Sequence, residues 1–192
     1  CSTSITLLMN NSPQEYLAFA NKLADAAGIT SMEYFRTSLS IDSKSDESPV
    51  TIADQNTELK IRSMIEKEYP DHGILGEEFD SVNPDAEFIW VIDPIDGTRS
   101  YIAGHKDFGN LISLTQNKKP IIGIINCPAH DERWVGVKNQ NSTVNQKIVK
   151  TSNVTEIEQA YIFTSGLYFE EPLLRNAVDK IKNKVRYFRY GG

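Results

Sequence analysis

Apolar and polar positions alternate along this chain in several rhythms, and each rhythm predicts an element. Ser12-Pro13-Gln14-Glu15 carries a serine cap, a proline in the first turn and a glutamate placed to close a capping box. Leu17, Ala20, Ala24 and Ala27 follow at helical spacing; Gly28 is a stop or a tolerated break, and residues 32–35 can resume the helix. Residues 40–49 are polar and turn-rich and predict a mobile loop. Asp54 opens a second helix, with Thr57, Ile61, Met64 and Ile65 on one face and an end at Tyr69-Pro70. A short apolar patch, Gly73-Ile74-Leu75-Gly76, leads into Glu77-Glu78, and the run 88–92 is too short for a helix and suits a buried strand.

The second half changes period. Residues 111–126 read as strand, turn, strand with the bend at Asn117-Lys118-Lys119-Pro120, and residues 132–137 add a third strand. A polar stretch after Lys138 separates this group from a shorter one. That one holds Ile148-Val149, a strand over 161–164 and a helix over 172–182. The expected division is therefore 1–138, an N-terminal α+β subdomain, and 139–192, the start of a smaller α/β subdomain.

Length and composition narrow the class. A chain of 192 residues buries about 70% of its unfolded surface and needs no staples. The formal charge of −6 argues against nucleic-acid binding, which needs a basic face to displace counterions. No apolar run approaches the roughly 20 residues of a membrane helix. Cys1 and Cys127 make neither a disulfide framework nor a metal-ligand spacing, which fits a reducing compartment, and a cytoplasmic location is expected. Cys1 in place of a start methionine reads as a fragment boundary.

The acids fall where elements end. Asp93 and Asp96 follow a hydrophobic strand where Pro94 and Gly97 turn the backbone, Glu77 and Glu78 follow a glycine, and Asp54 caps a helix. If those ends converge they form an oxygen cage for hard cations such as Mg²⁺. An acidic protein can hold an anionic substrate in that way, because divalent ions neutralise a phosphate and acidify a bound water. Gly97-Thr98-Arg99-Ser100-Tyr101 looks like the first turn of a short helix, whose free amides suit a phosphate oxygen. Taken singly, each motif also has a plain reading: a solvated acidic pair, a helix cap, an ordinary turn. His72, His105 and His130 have no partner at ligand spacing and are expected at the surface or behind the ligands.

In their order, Ser48-Pro49-Val50-Thr51-Ile52-Ala53-Asp54, Gly76-Glu77-Glu78 and Trp90-Val91-Ile92-Asp93-Pro94-Ile95-Asp96-Gly97-Thr98 resemble the signature of the inositol monophosphatase superfamily. Residues 99–104, 108–112 and 128–136, with His72-Gly73-Ile74-Leu75-Gly76, resemble its histidinol-phosphate phosphatase branch. The resemblance implies a layered α-β-α-β-α sandwich and a magnesium-dependent phosphomonoesterase inhibited by lithium. It also implies a small phosphorylated metabolite as substrate, and a homodimer. It makes Glu77, Asp93 and the Ile95 carbonyl ligands of a first metal, and Asp93 and Asp96 ligands of a second. Thr98 with Asp54 behind it would orient and deprotonate the attacking water, and the amides of Gly97 and Thr98 would hold the phosphate. Glu78 is left as either a supporting residue behind the ligands or plain surface, and Arg99 as a supporting residue. The family's later aspartate motif has no counterpart here, which implies a truncated chain.

Two rivals remain. A haloacid dehalogenase-like phosphatase would place its nucleophilic aspartate two residues before the second aspartate, where this chain has Pro94. A non-catalytic metal- or phosphate-binding fragment is the other. Within the resemblance itself, inositol 1-phosphate or another sugar or nucleotide phosphate is the alternative substrate to histidinol phosphate.

Overall fold

Helix α1 (Pro13–Tyr34) starts on the predicted capping box. The Ser12 hydroxyl accepts the Glu15 amide at 3.3 Å, and the Glu15 carboxylate accepts the Ser12 amide at 2.7 Å. The computed structural model describes residues 12–37, 41–43, 49–164, 166 and 171–191. One face of α1 buries Tyr16, Phe19, Ala20, Leu23, Ala24 and Ala27. The helix runs through Gly28 because packing outweighs the local propensity of one glycine. Tyr34 and Phe35 at its far end join a small core of Ala53, Ile95, Tyr101 and Phe108.

Part of the predicted loop is ordered. Strands β1 (Ile41–Ser43) and β2 (Pro49–Thr51) pair antiparallel, while residue 40 and residues 44–48 lie outside the described residues. Helix α2 (Ile52–Glu68) follows directly and packs beside α1.

Both helices cover one face of a seven-stranded sheet. Its strands are β3 (Gly73–Leu75), β4 (Phe88–Asp96), β5 (Gly109–Gln116), β6 (Lys119–Cys127), β7 (Glu132–Val137), β8 (Thr143–Val144) and β9 (Lys147–Ile148), in that spatial order. β3 pairs parallel with β4, and every later neighbour is antiparallel. Alternate residues Trp90, Ile92, Ile112, Leu114, Ile122 and Ile124 meet Leu23, Ile61 and Ile65 in the main core. The helix-covered face thus carries the period-two pattern that the sequence shows.

Two expectations are corrected by backbone pairing. The strand expected to stop at Ile92 continues to Asp96, with an irregularity between Asp93 and Asp96 that accommodates Pro94. The polar stretch after Lys138 is a hairpin of this sheet and not a linker. Asn145 and Gln146 take positive φ at its tip, and β8 pairs back onto β7. The chain accordingly divides into two units after Ile148 and not after Lys138.

The second unit, from Val149, is built on a strand–helix–strand crossover. β10 (Tyr161–Thr164) and β11 (Tyr187–Tyr190) pair parallel, and α4 (Pro172–Lys182) connects them. The helix and first strand lie where the periodicity places them; β11, an aromatic Tyr187-Phe188-Arg189-Tyr190 run, carries no alternation that would have predicted it.

His72, expected at the surface or behind the ligands, is half-buried in an aromatic stack. It stacks on Tyr69 and Phe88, with centroids 4.6 and 5.1 Å away, and its Nδ1 accepts the Trp90 indole N–H at 3.1 Å. Burial holds its pKa below the ordinary 6.5, against the opposing charges of Asp71 and Glu87. The unfolded chain therefore takes up a proton at this ring first as pH falls, and the His72 contribution to native stability is lost from about pH 6.5 downward. His72→Gln keeps an acceptor for the indole without titrating. The urea midpoint of this variant relative to that of the parent is expected to rise as pH falls from about 7.5 to about 5, because groups common to both cancel; a difference that does not change with pH would remove His72 as the source.

Candidate active site

The small core beneath the turn that follows β4 explains why that turn holds its shape. α3 (Thr98–Ile102) begins at Gly97, whose φ of +86° is a conformation L side chains avoid; a methyl there would also stand 2.8 Å from the Asp107 carbonyl. Ile95 and Tyr101 are buried, and the Tyr101 hydroxyl donates to the Ser31 carbonyl at 2.6 Å. Burial and the nearby Asp54 charge push that phenol up. The Thr98 hydroxyl donates to the Ile95 carbonyl at 3.0 Å, closing the turn and leaving that oxygen one lone pair. Behind the turn, buried Asn110 donates to the Pro94 carbonyl at 2.7 Å and accepts from Asn126 at 2.9 Å. Asn126 in turn accepts from Arg133 at 3.0 Å. A polar network therefore ties the backbone between the two aspartates to β5, β6 and β7.

The acids converge on Asp93. Burial pushes its carboxyl up to about 7, and the Glu77 charge, the Asp96 charge, a hydrogen bond shared with Glu77 and the Asp54 charge add to the effect in that order. Asp54 is buried in the first turn of α2, whereas Glu77 and Asp96 are exposed. Residues from three separate stretches of sequence thus stand close enough to act on one carboxyl. Glu78 and Arg99 are not among the groups that raise Asp93, and Arg99 faces solvent.

Sequence reasoning missed the residue that holds Glu77 in place. Glu58, fully buried on α2, accepts the amides of Glu77 at 3.0 Å and Glu78 at 2.8 Å, and pairs with Arg62 at 2.7 Å. Gly76 exists for this contact: a methyl there would fall on the Glu58 carboxylate. The signal was present in Asp54, Glu58 and Arg62, charged residues four apart on one helix face, but that spacing usually marks a solvated stripe.

Two hollows flank the sheet. One of about 570 Å³ has Asp93 in its wall with Val91, Leu111, Ser113, Ile125 and Trp134. The larger, about 880 Å³, lies between α1 and the β6–β7 side and contains none of the candidate acids. Its cation, Arg133, is already bonded to Asn126, Asn21 and Asp25. Chemistry, not size, makes the acids the candidate site.

A mixed α/β protein with helices on a large antiparallel-rich sheet, and a carboxylate-lined turn at a strand end, is the class that this architecture defines. The profile of the inositol monophosphatase family matches residues 12–191. The chain is 37% identical over 194 residues to the bifunctional phosphatase IMPL2, chloroplastic, of Arabidopsis thaliana, covering 96% of this chain and 56% of the relative. It is 38% identical over 168 residues to a histidinol-phosphatase of Chlorobaculum parvum, covering 86% and 65%. An inositol monophosphatase from Zymomonas mobilis superposes with a TM-score of 0.82 at 39% identity, over 95% of this chain and 71% of that one. The chain belongs to the inositol monophosphatase family. It spans less than two thirds of the length of either sequence relative. No helix among the described residues is long and apolar enough to cross a membrane.

The family is generally metal-dependent, and the residues here fit a hard divalent cation. Asp93 Oδ1 is buried with no hydrogen-bond partner, and its neighbours are carboxylate oxygens. Adjacent carboxylates repel unless a proton or a cation lies between them, and here Glu77 and Asp93 share a hydrogen bond. Among the described residues no three acidic, imidazole or thiol groups already enclose an ion-sized point.

Proposed function

We propose that this chain carries the metal- and phosphate-binding part of a magnesium-dependent phosphomonoesterase that hydrolyses a small phosphorylated alcohol, with histidinol phosphate favoured. The observation that carries the reading is the gathering of Glu77, Asp96 and Asp54 on Asp93, whose Oδ1 is buried and unpartnered. Glu77, Asp93, Asp96 and the Ile95 carbonyl would hold the ion. When bound, Mg²⁺ supplies charge to neutralise a phosphate dianion and to acidify water. Thr98 orients the attacking water and Asp54, buried at the foot of α2, takes its proton. The amides of Gly97 and Thr98, at the start of α3, receive a phosphate oxygen. Glu78 and Arg99 stay behind or beside these groups.

Histidinol phosphate is favoured by the motif text of residues 99–104 and 128–136 and by the Chlorobaculum relative's name. The similar identity to the Zymomonas structure favours inositol 1-phosphate as the second reading. A phosphate-release panel on the full-length protein tests both, with histidinol phosphate, inositol 1-phosphate and adenosine bisphosphate. Release is expected to be fastest from histidinol phosphate, to need Mg²⁺ and to be inhibited by lithium. Faster release from inositol 1-phosphate transfers the assignment; none from any substrate with Mg²⁺ present removes the enzymatic reading.

A further inference from the structure

The Glu58 carboxylate is engaged on both sides by named groups. Its Oε1 takes the Arg62 Nε at 2.7 Å, and its Oε2 takes the Glu77 and Glu78 amides at 3.0 and 2.8 Å. Arg62 also donates to the Phe79 carbonyl at 2.9 Å. One buried ion pair on α2 thus holds backbone groups of three consecutive residues, Glu77, Glu78 and Phe79, in the segment that follows β3. Asp54, Glu58 and Arg62 lie one turn apart, so a single rigid helix carries both Asp54 and the anchor of Glu77. Glu77 itself is exposed, and an exposed glutamate has three side-chain torsions free. Besides the hydrogen bond it shares with Asp93, what restricts it is its backbone.

We propose that Glu58 is a positioning residue for the metal site: by clamping the Glu77 and Glu78 amides to α2 it fixes where the Glu77 carboxylate meets Asp93, and so sets the affinity for a divalent cation. The inference rests on the metal reading above. Groups that orient ligands in this way are worth about 10–100-fold in metal affinity. Gly76 belongs to the same device, because any side chain at that position pushes the turn off the carboxylate.

The test compares Glu58→Gln and Gly76→Ala with Ile61→Val in the full-length protein. Ile61 is fully buried on the same helix but is not bonded to the turn, so it reports ordinary loss of packing. Two readouts are taken below each variant's melting temperature: Mn²⁺ binding by calorimetry, and hydrogen exchange at the Glu77 and Glu78 amides without metal. Glu58→Gln and Gly76→Ala are expected to weaken Mn²⁺ binding about 10–100-fold and to speed exchange at those two amides. Ile61→Val is expected to lower the melting temperature and change neither. Parental affinity and exchange in both test variants, with only stability lost, would overturn the clamp. If the parent protein itself binds no Mn²⁺, the metal reading fails, while the amide exchange still judges whether Glu58 holds the turn. Should Glu58→Gln not fold, Gly76→Ala alone carries the decision.

Discussion

Replacing Asp93 with asparagine is expected to lower Mg²⁺-dependent phosphate release about 10³-fold while raising the melting temperature of the metal-free protein at pH 8. The first effect follows from the proposed role of Asp93 as a charged ligand, whose partner ion would supply several kcal/mol of transition-state stabilisation, at about 1.4 kcal/mol per tenfold. The second follows from the raised Asp93 carboxyl. Its native pKa, about 7, exceeds the ordinary 3.8, so the native state holds its proton longer than the unfolded chain does. Native stability therefore falls as pH rises from about 4 to about 7 and stays low above that. Asparagine resembles the protonated carboxyl, so the gain should be large at pH 8 and vanish near pH 4. Saturating Mg²⁺ should reverse the order, stabilising the parent by mass action and leaving the variant unmoved. Thermal melts at pH 4, 6 and 8, with and without Mg²⁺, check all of this. A variant that stays active, or that is destabilised at pH 8 without metal, removes Asp93 from the site.

The largest loss of stability is expected from Trp90→Ala. Trp90 is fully buried, meets Phe19 edge-on at 5.6 Å and donates its indole N–H to His72. Its removal leaves a cavity under α1 and an unpaired Nδ1 in the Tyr69–His72–Phe88 stack. Together these should cost about 3–5 kcal/mol, which lowers the melting temperature by on the order of 10 °C. Trp90→Phe fills most of the space and loses only the hydrogen bond, at about 1 kcal/mol. Unfolding of both variants by urea separates the two contributions; a cost under about 1 kcal/mol for alanine would mean that the sheet does not rest on this side chain.

Much of the site was legible because its motifs are local. The turn through Gly97 and the short helix at Thr98 depend on neighbours in the chain and stand where the residues predict them, while the strand before them runs on to Asp96, past its expected end at Ile92. Glu58 was not legible. A buried glutamate on a helix looks the same in text as an exposed one, and only the approach of Gly76 from a different element makes it an anchor. Asn110 and Asn126 were hidden for the same reason, as polar residues within strands whose partners are the Pro94 carbonyl, Ser31 and Arg133.

The hairpin of β8 and β9 and the strand β11 show the same division on the scale of the fold. Periodicity and capping determine α1 and the helix-covered face of β4 to β6, because those patterns express one element's burial against a single neighbouring layer. Pairing partners are another matter. Two-residue strands such as Thr143–Val144 bury too little to have a pattern of their own, and they exist because β7 offers an open edge. So the chain alone specified which helices form and which acids end each strand. Tertiary structure decided that Glu77, Asp96 and Asp54 meet at Asp93 and that Glu58 holds the turn, since Coulomb repulsion, burial and hydrogen bonding act across space and leave no spacing in the text.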